Sequence, residues 1–211
     1  LSVDALPGIV EALPRYDAIV LGCGLGSHPL TRQLVLEVAR ELKRFPHLRA
    51  VVDADGLNAL ATQHRWWENL PSGTALTPHP GEMCRLSGLA MDEISADRIG
   101  VAMERSSAWA HVVVLKGAYT VIASPTGQAT INPFVSAALA TAGTGDVLAG
   151  AIGGLLAQGV APYNAAVAGA YLHALAAQVV CSESGDTGMV ASDLLPALPR
   201  VIRQLKGTQS T

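Results

Sequence analysis

The run Ala142-Gly143-Thr144-Gly145-Asp146-Val147-Leu148-Ala149-Gly150 joins a glycine turn to an apolar helix, with an aspartate at the junction. Glycines accept positive φ and let backbone approach a ligand closely. A helix start offers unpaired N–H groups and a partial positive charge, which suits a phosphate. Asp146 stands where a hydroxyl attacking that phosphate would be met, so the chemistry indicated is phosphoryl transfer with a carboxylate general base. A tight turn with Asp146 merely capping the helix accounts for the same string, and at this point both readings stand.

Four further loops follow apolar strand-like runs, and in an open α/β sheet ligands gather at the carboxyl ends of strands. Gly22-Cys23-Gly24-Leu25-Gly26 lacks the third glycine of a dinucleotide fingerprint but still offers backbone N–H groups. Asp53-Ala54-Asp55-Gly56 ends a strand with two carboxylates that could hold a metal or a sugar hydroxyl. Asp55 reads more naturally as the cap of the next helix than Asp53 does. In Thr77-Pro78-His79-Pro80-Gly81-Glu82 two prolines fix where the imidazole of His79 points, although a lone loop histidine is commonly a surface residue. Glu82 falls in a first helical turn, where the dipole favours a carboxylate. Lys116-Gly117-Ala118-Tyr119-Thr120 places a lysine and a glycine after a strand, which suits phosphate contact; a solvated hairpin lysine is the plain alternative.

The elements that must carry these loops alternate. Leu1–Arg15 reads as one short helix, Val3–Leu13, ended by Pro14. Strands are expected at 18–21, 50–53, 74–76, 111–115, 120–123 and 128–131, the last two joined through the turn at Pro125–Gly127. Helices are expected at 30–45, 56–63, 94–109, 146–158, 162–181 and 191–205, with a helical turn at 80–87; Leu30, Leu34, Val38 and Leu42 keep i, i+4 spacing. This alternation predicts a layered α/β fold, a mostly parallel sheet covered by helices on both faces, with an antiparallel hairpin at one edge. His79, Lys116 and Asp146 are then expected to reach one cleft.

Composition sets bounds. The 211 residues fit one domain; half are apolar and 4% aromatic, so the core must be built from Ala, Leu, Val and Ile. A net charge of −3 gives no basic footprint for nucleic acid. No apolar run reads as long and uncharged enough to cross a bilayer, so no membrane role is expected. Cys23, Cys84 and Cys181 fit neither a metal motif nor a disulfide framework and read as small buried residues of a cytoplasmic protein.

In order and spacing, VDADGLNAL, LTPHPGE, VVVLKGAYTVIASPTG, ALATAGTGDVLAG and the later YLHALAA resemble the NAD(P)H-hydrate dehydratase family, from about Asp17 to Leu205. TPHPGE paired with AGTGDVLAG is the specific part of the resemblance. It implies a ribokinase-like fold and a repair reaction in which the S-form of NADH hydrate or NADPH hydrate loses water at the expense of ADP, or less expectedly ATP. It also implies that Asp146 is the base and that Lys116, Gly117, Ala118, Tyr119, Thr120 and Gly145 hold the nucleotide. Gly24, His79 and Asp146 would contact the hydrate, with Asp53, Gly143 and Thr144 in support. Mg²⁺ is implied, held by phosphate and water more than by a dedicated ligand set. So are a fused or separate hydrate epimerase and a homo-oligomer. Related kinases of hydroxymethylpyrimidine or hydroxyethylthiazole share the glycine turn, and a nucleotide-binding fragment without activity is the third reading. Two departures stand out. Ser136 replaces the second asparagine of the family's Asn-Pro-Thr-Gly-Asn, and the family's opening strand, Gly-Gly-Ser loop and Gly-Ala-rich helix have no match. With Leu1 in first place and a strand following at once, the 211 residues are expected to be the carboxyl part of a longer chain, poorly soluble or nearly inactive alone.

Overall fold

The computed structural model describes residues 1–207. Its sheet has six strands in chain order: β1 (Ala18–Leu21), β2 (Arg49–Val52), β3 (Ala75–Leu76), β4 (Val112–Leu115), β5 (Val121–Ala123) and β6 (Ala129–Ile131). The first four run parallel, in registers that place Val20 beside Val51, Val51 beside Ala75, and Ala75 beside Val112. From β4 onward the pairing is antiparallel, with Val114 opposite Ile122 and Ile122 opposite Thr130. The parallel sheet with an edge hairpin is therefore present as expected.

Side-chain alternation along the strands sorts the interior into two layers. Leu21, Ala50, Val52, Leu76, Val113, Leu115, Val121 and Ala123 face one core. Packed there are α1 (Leu6–Ala12), α2 (Pro29–Leu42), α3 (Ala54–Leu60), α4 (Pro80–Ser87), α5 (Met91–Ala96) and α6 (Arg98–Trp109). Val51, Ala75, Val112, Val114 and Ile122 face the other core, beneath α7 (Thr144–Ala157) and α8 (Pro162–Ser184). A third, smaller cluster joins α8 to α9 (Leu194–Gly207) through Ala177, Val180, Leu194 and Val201. Burying each Leu, Ile or Val side chain of this kind contributes about 1.5–3 kcal/mol.

Glycine sets how closely α7 lies. A Cβ on Gly153 would stand 2.6 Å from Val20 Cγ2, and one on Gly169 of α8 would stand 2.6 Å from Ile152 Cγ1. The helix that begins with Gly143-Thr144-Gly145-Asp146 is thus pressed on β1 from below and on α8 from the side.

Three expectations need correction. The helix expected over 94–109 is two helices broken at Asp97, whose backbone is non-helical (φ −144, ψ 74) and whose carboxylate caps α6 by accepting from the Gly100 N–H at 2.8 Å. Asp55 does not cap α3; it lies inside the first turn and accepts the Gly26 N–H at 2.7 Å, tying the α3 start to the Gly22–Gly26 loop. Finally, α8 is 23 residues long and contains an 18-residue stretch of mean hydropathy 1.5, so among the described residues one helix does have the length and apolarity to cross a membrane. Its alanines disguise that in the sequence. Half of the apolar window is buried, against the sheet, α7 and α9, as befits a core helix.

Candidate active site

The carboxyl ends of β1, β2, β3 and β4 and the first turn of α7 meet at one edge of the sheet. Lys116, just beyond β4, is the hub. Its Nζ donates to Asp53 Oδ1 at 2.6 Å and lies 3.7 Å from Glu82 Oε2. Asp53, just beyond β2, is 1% exposed, and the Glu82 side chain is 5% exposed. A Cβ on Gly145 would stand 3.4 Å from Lys116 Nζ and 3.5 Å from Asp53 Oδ2, so a methyl group there would just touch the ion pair. The turn itself needs Gly143, at φ +86, and is tied down by the Thr144 hydroxyl, placed to donate to the Leu139 carbonyl at 2.7 Å or the Thr141 carbonyl at 2.8 Å.

Asp146 is exposed at the same corner. Its carboxylate, an oxygen of Asp53 and the Cys23 sulfur all lie within 4.8 Å of one another. Burial pushes the Cys23 thiol up to about 12, and the charges of Asp53 and Asp146 push the same way. Cys23 therefore stays a thiol that hydrogen-bonds Asp146 rather than a thiolate ligand. The expectation that the cysteines are only core filler holds for its packing against the second core, but not for this contact.

His79 sits one loop away. Its Nδ1 accepts from the N–H groups of Gly81 at 3.0 Å and Glu82 at 3.3 Å, while Glu82 Oε2 accepts the His79 N–H at 2.8 Å, a reciprocal cap on α4. With the lone pair so used, the ring proton belongs on Nε2, 3.4 Å from Glu82 Oε1. Burial lowers the His79 pKa, and Lys116 and Arg85 add to that against the opposing pull of Glu82 and Asp53. The rigidity expected from Pro78 and Pro80 is thus real, and it comes as much from Glu82 as from the prolines.

A cavity of about 530 Å³ opens beside Lys116. His79, Lys116, Gly117, Ala118, Thr120, Thr144 and Gly145 line it, as do Asn132 and Phe134–Ser136. Asp53, Asp146 and Gly24 are outside its wall, on the far side of the Lys116–Asp53 pair, and Tyr119 is 55% exposed and not part of the lining. Lys116 therefore both lines an open chamber and reaches the carboxylate-rich corner. Of the three residues expected to reach one cleft, His79 and Lys116 line this cavity and Asp146 does not; it stands at the same edge of the sheet, linked to them through Asp53, Lys116 and Glu82.

Two cavity residues were not singled out by sequence. His173 of α8 is buried and shares its Nε2 proton with the Thr144 carbonyl at 2.9 Å. Burial, helped by Lys116, brings its pKa down to about 4. The neutral ring so fixed carries its lone pair on Nδ1. Asn132 Nδ2 donates to the Ala170 carbonyl at 2.8 Å, and among the described residues no donor reaches its buried Oδ1. Each was part of a quoted string, YLHALAA and Asn-Pro-Phe-Val-Ser, yet a lone polar residue on an alanine-rich face carries no signal of its own.

Residues 2–200 match the family described as NAD(P)H-hydrate dehydratase. The chain is 46% identical over 206 residues to a bifunctional NAD(P)H-hydrate repair enzyme of Moorella thermoacetica, covering 98% of this chain and 38% of that protein. It is 42% identical over 185 residues to an ADP-dependent (S)-NAD(P)H-hydrate dehydratase of Neisseria meningitidis, covering 86% of this chain and 61% of that one. The chain thus spans less than two thirds of the length of either relative. Among solved structures it resembles an ADP/ATP-dependent NAD(P)H-hydrate dehydratase of Bacillus subtilis co-crystallised with ATP and Mg²⁺, at TM-score 0.78 and 32% identity over 96% of this chain and 76% of that one. A ribokinase-like superfamily protein of Enterococcus faecalis superposes at TM-score 0.81 with 25% identity, over 97% of this chain and 69% of that one, so the fold is ribokinase-like.

Proposed function

The chain belongs to the NAD(P)H-hydrate dehydratase family, and from that footing we propose that it restores NADH and NADPH from the S-form of their hydrates at the expense of ADP or ATP. The observation that carries this reading is the placement of Lys116 between the chamber and the Asp53–Asp146 corner. The nucleotide occupies the chamber along Lys116–Thr120 with its terminal phosphate toward Lys116 and the start of α7. The hydrated ring lies toward the carboxylate corner, within reach of Gly24 and Asp146, and meets His79 where the chamber begins.

Asp146 takes the proton from the hydrate hydroxyl as its oxygen attacks the terminal phosphorus of ADP; the bond to the bridging oxygen breaks and AMP leaves. Hydroxide is a poor leaving group and phosphate a good one. The ring nitrogen lone pair then expels phosphate, the adjacent carbon gives up a proton, and the ring double bond returns. The chain's own contribution is positioning and charge. Lys116 and the N–H groups of the α7 turn face the transferred phosphate, and Gly145 keeps their approach clear.

Lys116 faces the two carboxylates Asp53 and Glu82, with Asp146 beside Asp53, so an entering polyphosphate needs further positive charge. Two carboxylates with donor atoms so close are hard oxygen ligands that fit Mg²⁺ completed by phosphate and water. When bound, Mg²⁺ would neutralise phosphate charge there. A hydrate epimerase, fused or separate, complements an enzyme that takes only the S-form. Repair of these coenzymes suits the cytoplasm.

The test is direct. Protein, NADH hydrate, Mg²⁺ and either ADP or ATP are mixed, and NADH absorbance is followed. Its return with one nucleotide and not without it is expected; no return with either overturns the reading.

A further inference from the structure

We propose that Arg98 is a positioning residue for nucleotide binding: its guanidinium gathers the carbonyls of the Lys116–Thr120 loop and so turns the loop's N–H groups toward the ligand. This deepens the reading of the chamber as a nucleotide site and rests on it. Arg98 Nη2 donates to the carbonyls of Leu115 at 3.1 Å and Lys116 at 3.3 Å, and Nη1 donates to that of Ala118. Two further carbonyls of the loop are also occupied. That of Gly117 accepts from the Thr120 hydroxyl at 3.0 Å, and that of Thr120 accepts from the Asn132 N–H at 2.9 Å. The peptide bonds are trans, so each C=O and the N–H that follows it point opposite ways. Drawing the Lys116 and Ala118 carbonyls to Arg98 therefore directs the N–H groups of Gly117 and Tyr119 away from it. Gly117 and Ala118 line the cavity, whereas Arg98 does not.

The geometry is costly, which argues that it is there for a purpose. Arg98 is the first residue of α6, the end of a helix where a cation is electrostatically disfavoured. It is placed there by the break at Asp97. Its side chain is partly desolvated, which lowers its pKa, and among the described residues no acceptor reaches the buried Nε. The loop is shaped around it. Gly117 has φ +141, and a Cβ there would stand 3.0 Å from Arg98 Nη2. Tyr119 takes φ +53, a left-handed conformation unusual for a bulky residue. A lysine could supply the charge but not the planar fork that reaches three carbonyls at once.

The experiment compares wild type with Arg98→Ala and Arg98→Lys. The readouts are calorimetric Kd for ADP and ATP, KM and kcat in the NADH-return assay, and hydrogen exchange of the 116–120 amides, with thermal melts to verify folding. Both variants should weaken nucleotide binding, Arg98→Ala by about ten- to a hundredfold, and loop exchange should rise. Turnover at saturating nucleotide and KM for the hydrate should hold. Added guanidinium at sub-denaturing concentration should tighten binding to Arg98→Ala and not to wild type. Should Arg98→Ala not fold, Arg98→Lys carries the comparison. Wild-type affinity and loop exchange in the folded variants would overturn the proposal alone. A wild-type protein that binds neither nucleotide would overturn it together with the functional reading.

Discussion

The two glycine-punctuated loops of the active edge are braced by groups of opposite charge. In Gly22–Gly26 the brace is the Asp55 carboxylate, which consumes the Gly26 N–H. In Lys116–Thr120 it is the Arg98 guanidinium, which consumes carbonyls. An acidic brace uses up donors; a basic brace uses up acceptors and leaves donors for an anion. Glycine content alone therefore does not say which loop receives phosphate. Within Gly22–Gly26 the glycines differ as well. A Cβ on Gly22 would stand 1.9 Å from the Asp53 carbonyl oxygen, so that glycine exists for packing, whereas Gly24 has open space and only a positive φ of +65.

The largest effect tests what joins the loops. Asp146→Asn should lower turnover by roughly two to four powers of ten, as loss of a general base does, while both KM values stay near wild type. A variant with normal kcat would remove Asp146 from the chemistry and leave the loops unconnected. Next come the glycines. Gly22→Ala should cost at least about 3 kcal/mol, because backbone must move to admit the methyl group, whereas Gly24→Ala should cost about 1 kcal/mol from φ alone. Urea unfolding measures both, and equal losses would erase the distinction between a packing and a turning glycine.

Acid perturbs the fold through its buried histidines. His111, buried beneath the tryptophans with Nε2 3.0 Å from the Trp67 carbonyl, and His173 both have their pKa lowered from 6.5 to about 4 by burial. Each is neutral in the folded protein across a range where the unfolded chain already binds a proton. Stability is thus fully present above pH 6.5 and is lost as pH falls toward 4, by up to about 1.4 kcal/mol per pH unit for each histidine. Melts across that window check this, and His111→Gln should flatten the slope. The smallest effect is Asp55→Asn, expected to raise KM for the hydrate about two- to fivefold, the loss of one charge-assisted hydrogen bond at an exposed site, with nucleotide KM unchanged. A change in nucleotide KM instead would mean that the two loops act as one.

Much of the frame was legible because it rests on local pattern. The apolar run 18–21 is β1 without adjustment, Pro80 and Ser87 bound α4 as read, and the turn at Pro125–Gly127 joins a hairpin as read. The place of Lys116 after a strand and of Gly145 at a helix start was legible, and both line the cavity. What was hidden depends on partners distant in the chain. The periodicity of 94–109 runs through Asp97 undisturbed, so nothing local announces the break that sets Arg98 in place. Arg98 and His173 act on carbonyls, which every residue possesses and no sequence displays. Asp55 looked like a cap because capping is what an aspartate at a helix start commonly does; the Gly26 N–H that claims it comes from another strand end.

The sequential order of the six strands bears on how the site is assembled. Each strand as it leaves the ribosome finds its sheet neighbour already made, so the sheet can grow by successive addition, without waiting for distant segments. The site cannot form in that way. It needs a loop from β1, a lysine from β4 and the first turn of α7, and α7 must return across β1 and β2 to deliver Asp146. That return closes the widest loop in the chain and carries the entropy of doing so. Synthesis therefore yields a sheet first and the corner last, and a nascent chain released short of α7 would carry Lys116 and Asp53 without Asp146.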